Sequence, residues 1–133
     1  MLVAALTNEA ATGRVQVWLS KQDPAALLIS EWVATEFASA LSIKIRTGVL
    51  TIDDRAKVAL LFTRLTSESL SVVPVRREHF LVAARFVDQH GIGLRAGDAL
   101  HVAIAAGEGA VICTLDRRLA DGAIALGVSA EMV

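Results

Sequence analysis

The sequence predicts an α/β domain with a mostly parallel sheet, and three observations predict it. Short apolar runs bounded by turn residues alternate with longer segments at helical spacing. The short runs are apolar on both alternating positions, as strands covered on both faces are. The chain has 133 residues, enough to bury one sizeable core, so a single domain over 1–133 is expected.

Each element follows from its own residues. The opening MLVAAL reads as a short apolar helix. Positions 11–21 keep helical spacing through Val15, Trp18 and Leu19 and stop before the Asp23–Pro24 turn. ALLIS, 26–30, lies between that turn and Ser30, a candidate helix cap, and reads as a buried strand. The segment 31–48 is a long helix closed by Gly48. A second helix, 51–68, opens on Thr51, with Asp53 and Asp54 in the first turn where carboxylates complement the helix dipole. LSVVPV, 70–75, is strand-like with Pro74 near its end. The segment 77–91 is helical, with Phe80, Ala83, Ala84 and Val87 on one face and Gly91 as terminator. The helix 94–109 is apolar nearly all round, which implies burial on most sides. AVICT, 110–114, is a strand, 116–126 a loose helix and 128–132 a last short strand.

Composition narrows the class. The hydrophobic fraction of 54% comes from Ala, Leu and Val rather than from aromatics. Charges interrupt every apolar run before the ~18–20 residues of a membrane span, and MLVAAL lacks the basic start of a signal peptide. A soluble, cytoplasmic protein is expected. The formal net charge is −1, so overall charge selects no partner, and small basic pairs occur at Lys44/Arg46, Arg76/Arg77 and Arg117/Arg118. Cys113 is the single cysteine, which excludes an internal disulfide, and its apolar surroundings predict a buried, inert thiol.

Three carboxylates occupy unusual places. With Val33 as origin and ~100° per residue, Glu36 falls about 60° away, beside Ala40 and Phe37 and inside the apolar stripe. Asp98 opens a helix whose following residues, ALHVAIAA, are almost all apolar, where an unpartnered charge is costly. Asp116 follows the strand 110–114 and opens the next helix, and ligands of parallel sheets gather at the carboxyl ends of strands. Helix capping is the simpler reading of each aspartate, and a glutamate reaching water the simpler reading of Glu36. Together, the three acids with the Thr114 hydroxyl suit a divalent cation, because Mg²⁺ relieves carboxylate repulsion and prefers carboxylates, waters and phosphate oxygens.

The stretches ISEWVATEFASAL, LRAGDALHVAIA and VICTLDRRL, in this order, resemble the PIN domain, and within it the VapC-type toxin ribonucleases of bacterial toxin–antitoxin pairs. The resemblance covers essentially the whole chain and implies a three-layer α/β/α domain. It places Glu36, Asp98 and Asp116 on acidic active-site positions and Thr114 on their small polar neighbour. It implies Mg²⁺- or Mn²⁺-dependent endonucleolytic cleavage of RNA, a small antitoxin protein as partner, and a homodimer. Arg95 and Arg117 or Arg118, next to the two aspartates, are candidates for holding RNA phosphates. The resemblance also implies a central first strand ending in an aspartate that serves as a metal ligand. MLVAALTNEAATGRV matches only from the residue after that motif, so the strand and its aspartate are expected just before Met1, with Met1 an internal methionine of a natural protein that begins earlier. The other expectation is a truncated toxin, whose sheet would carry a gap of about 10 Å.

Other residues carry less. His101 shares a helix face with Asp98 and reads as a core histidine, while His79 and His90 show no ligand spacing. Trp18 and Trp32 read as core or interface residues. A catalytically silent module that only binds the antitoxin is the rival function, separable by Mg²⁺ titration. A phospho-accepting receiver domain requires a late lysine, and none follows Lys57.

Overall fold

The apolar opening folds into a short helix, α1 (Leu2–Leu6), in a computed structural model that describes residues 1–133. Contacts divide the chain into two units, Met1–Pro74 and Val75–Val133. No helix is long and apolar enough to cross a membrane.

In the first unit, α1 turns into α2 (Thr12–Leu19) through a loop pinned by Thr12, whose hydroxyl oxygen lies 2.7 Å from the carbonyls of both Ala4 and Thr7. Val15 on α2 is fully buried. Pro24–Ala26 form a single 3₁₀ turn, capped by the Asp23 carboxylate accepting from the Ala25 amide at 3.0 Å. That turn consumes the start of the expected strand, so β1 is only Leu28–Ser30. The helices α3 (Glu31–Arg46) and α4 (Ile52–Ser69) then cross over to β2 (Ser71–Val73), which pairs parallel with β1, Leu28 opposite Ser71 and Ser30 opposite Val73. Gly48 after α3 takes φ +72°, the left-handed conformation that stops a helix. Thr51 caps α4 by accepting the Asp54 amide, and its hydroxyl donates to the Asp54 carboxylate, holding that carboxyl below its ordinary pKa.

The core of this unit joins Leu2, Phe37, Leu41 and Val58, with Phe37 stacked on Phe62 at 4.0 Å between ring centroids. Lys44, which falls inside the apolar stripe of α3, is there to meet Glu9 at 2.7 Å. Two buried polar atoms have no hydrogen-bond partner: Ser30 Oγ and Trp32 Nε1, flanking the start of α3. Ser30 occupies the cap position, yet its side chain makes no cap bond. A buried hydroxyl without a partner costs about 1–3 kcal/mol. Ser30→Ala is therefore expected to leave stability unchanged or raise it by up to about 1 kcal/mol; a loss of more than that in urea titration overturns this reading of the hydroxyl.

The second unit departs from expectation first at α5 (Arg77–Asp88), which ends at Asp88 rather than running to Gly91. Gly91 has no positive φ; Gly93, at +71°, makes the turn that follows. The buried face is also different. Phe80 and Val87 are exposed, and His79 and Ala83 point inward. The reason lies outside the apolar pattern of 77–91: His79 Nδ1 accepts the Arg76 amide at 3.1 Å, which draws residue 79 inward. Gly107 leaves room for its ring, since a Cβ there would sit 3.1 Å from His79 Nε2.

The helix α6 (Ala96–Glu108) buries Ala99, Leu100, Val102, Ala103 and Ile104, as its all-round apolarity predicts, and Gly109 at φ +63° closes it. Then come β3 (Ile112–Thr114), α7 (Arg117–Ala125) and β4 (Ala130–Met132). The pair β3–β4 is parallel, Ile112 opposite Ala130 and Thr114 opposite Met132. Each strand is three residues long, shorter than the apolar run that contains it, because pairing rather than apolarity sets a strand's length. The chain is thus mixed α/β, largely helical, with short parallel strands in two two-stranded sheets.

Candidate active site

Where β3 ends, Asp116 begins α7. Its Oδ1 accepts the amides of Arg118 at 2.9 Å and Leu119 at 3.3 Å, satisfying two of the donors that a helix start leaves open. Its own amide donates to the Thr114 hydroxyl at 3.0 Å. Thr114 is buried, so this bond fixes the turn between strand and helix. The threonine therefore acts by aiming Asp116. The cap bonds use Oδ1 alone, and Oδ2 takes no part in them.

Asp98 is the third residue of α6. Its Oδ2 accepts the Arg95 amide at 3.3 Å, a first-turn contact that explains a carboxylate at the head of so apolar a helix. The residues after it, Ala99 and Leu100, are buried, while Asp98 is half-buried. The start of α6 lies beside α7 because Leu94 packs onto Gly122: a Cβ on Gly122 would come within 2.6 Å of Leu94 Cδ2. Only glycine admits that approach.

Glu36 belongs to the other unit. It is half-buried on α3, next to the core residue Phe37. The Met1 amino group lies within electrostatic range of it: burial lowers that group's pKa, and the Glu9 and Glu36 carboxylates act in the opposite sense.

The chemistry of these groups can be tested against a metal ion. Within neither unit do three or more His, Cys, Asp or Glu side chains gather into a set able to hold one. Asp98 and Asp116 still supply hard oxygen donors, and Mg²⁺ is commonly held by one or two carboxylates with water and phosphate oxygens completing its shell. The donor chemistry fits a hard cation rather than zinc. His79 is buried with Nδ1 engaged, His90 is exposed and His101 half-buried.

Arg95 and Arg117 are exposed, Arg95 at the cap position of α6 and Arg117 in the first turn of α7, where anions are favoured. Cys113 is half-buried rather than enclosed; burial pushes its thiol pKa up and the Glu131 carboxylate pushes the same way, which keeps it protonated and inert. Trp18 and Trp32 are half-buried and lie outside the buried core. Arg118, Asp121, Gly122 and Ala125 are spaced to share one face of α7.

A family model of the PIN domain matches residues 1–124. No curated protein matches the chain.

Proposed function

The chain belongs to the PIN-domain family, whose members are generally metal-dependent nucleases, and on that premise we propose that it is an Mg²⁺- or Mn²⁺-dependent endoribonuclease, the toxin of a toxin–antitoxin pair. We read 1–133 as one domain, since a single family match runs through both units. The observation that carries the reading is Asp116: a carboxylate aimed by Thr114 at the end of a strand, with one oxygen spent on the cap and the other left for chemistry.

In this reading Asp98 and Asp116 hold the ion, and Glu36 is a third acidic residue of the activity. When bound, the ion supplies a water of lowered pKa and offsets charge on the phosphodiester. The chain's own part is to orient the strand. Arg95 and Arg117 meet phosphate oxygens at the two helix starts and neutralise charge that grows as the P–O bond breaks. The carboxylates accept the proton released by the attacking water. A small antitoxin protein, a homodimer and a cytoplasmic setting complete the proposal, on the strength of the resemblance in ISEWVATEFASAL, LRAGDALHVAIA and VICTLDRRL.

The test is cleavage of single-stranded RNA by purified protein during chelation and readdition. EDTA is expected to stop cleavage, and Mg²⁺ or Mn²⁺ to restore it saturably. Cleavage that persists at full rate in EDTA overturns the metal-dependent reading. A protein that binds antitoxin but cleaves at no ion concentration is the silent module instead.

A further inference from the structure

Immediately after Asp116 a shallow cavity of about 610 Å³, largely open to solvent, runs along α7, lined by Gly91, Ile92, Arg117, Arg118, Asp121 and Gly122. Its volume lies within the ~300–1,000 Å³ of small-ligand sites. Arg118, Asp121 and Gly122 lie on one stripe of α7, and the Gly91–Ile92 loop forms the facing wall. Asp121 follows Arg118 by three residues and Arg117 by four, about one turn of helix. Positive charge thus stands at the end next to Asp116, with an exposed carboxylate one turn further along α7.

The arrangement is unusual in what it leaves unused. The ion pairs Lys44–Glu9, Lys57–Asp54 and Arg64–Glu68 all lie in residues 1–74, and neither arginine of the cavity takes part in one. A ligand that satisfies both ends must carry phosphate toward Arg117 and Arg118 and hydrogen-bond donors toward Asp121. A nucleotide of single-stranded RNA does so, because its base can swing out and present its Watson–Crick edge. Among the four bases only guanine offers a carboxylate two adjacent donors, N1–H and N2–H. Adenine and cytosine place one amine beside an acceptor, and uracil places one N–H between two acceptors. Gly91 leaves one wall open to a ring, since a Cβ there would meet no atom within 4 Å.

We propose that this cavity is a guanine subsite, in which Asp121 reads the base and Arg117 and Arg118 hold the phosphate of the nucleotide next to the cleaved bond. The proposal rests on the nuclease reading for the presence of RNA, but its binding chemistry stands apart from cleavage. The experiment is an amide NMR titration of the full chain with 5′-GMP, 5′-AMP, 5′-CMP and 5′-UMP. GMP is expected to shift Arg118, Asp121 and Gly122 and to bind about tenfold tighter than the other three. Asp121→Asn reduces that preference to about twofold or less, since it replaces one of the two acceptor oxygens by an NH₂ group that opposes guanine's second N–H donor. Gly91→Val, whose side chain enters open space at a backbone conformation free of positive φ, leaves the fold intact and weakens all four nucleotides.

Equal shifts with all four nucleotides, or none with any, overturn the proposal, as does an unchanged GMP preference in Asp121→Asn. The two readings fail separately. Selective GMP binding in a protein that cleaves no RNA leaves the subsite standing and removes the nuclease. Metal-dependent cleavage without guanine preference beside the cut and without GMP selectivity does the reverse.

Discussion

Replacing Asp116 with asparagine is expected to lower metal-dependent RNA cleavage by about 100-fold or more while leaving the fold in place. The magnitude follows from what the carboxylate supplies: charge stabilisation by a bound ion is worth several kcal/mol, and each 1.36 kcal/mol is about a factor of ten in rate. The structural half of the argument is as specific. Asp116 Oδ1 caps α7 through the Arg118 and Leu119 amides, and asparagine keeps an oxygen able to accept both. Asparagine thus removes the charge and keeps the cap. Alanine removes both, and is expected to cost about 1 kcal/mol of stability in addition. Cleavage rates and thermal unfolding of the two variants separate the roles. A parent-like rate in Asp116→Asn places the chemistry elsewhere in the molecule.

Phe37→Ala is expected to lower stability by about 3–4 kcal/mol, the largest loss from a single core position in the first unit. Its ring is 5% exposed, stacks on Phe62 at 4.0 Å and joins Leu2, Leu41 and Val58 in one cluster. Truncation removes the transfer energy of the ring and its stack on Phe62, and leaves a cavity between α3 and α4. For a domain stable by about 5–15 kcal/mol, such a loss is severe. Urea titration reads it directly, and a loss below about 1 kcal/mol contradicts close packing at this position. The consequence for function is practical: Glu36 is the adjacent residue, so its role must be probed by Glu36→Gln, which leaves Phe37 seated.

Much of the fold was legible in single residues. Gly48 marked the end of α3 because that position needs a positive φ that other residues resist. Thr51 and Asp116 marked helix starts because their short side chains reach back to open amides. The all-round apolarity of ALHVAIAA foretold a buried helix, and α6 is one. Where sequence misled, a partner outside the local pattern was responsible. The buried face of α5 was set by a bond from the Arg76 amide to His79 and by space at Gly107 on another helix, and an apolarity count over 77–91 contains neither. Lys44, inside the apolar stripe of α3, is held there by Glu9, thirty-five positions earlier.

The sequence by itself determined which segments are helices, which aspartates stand at their starts, and the family to which the chain belongs, because capping, periodicity and motif order are properties of neighbours along the chain. Only the tertiary structure decided which distant residues meet: Leu94 seated on Gly122, His79 in the space left at Gly107, and Lys44 on Glu9. Such contacts depend on distances between segments far apart in sequence, and those distances are fixed when cores close around glycines and buried side chains.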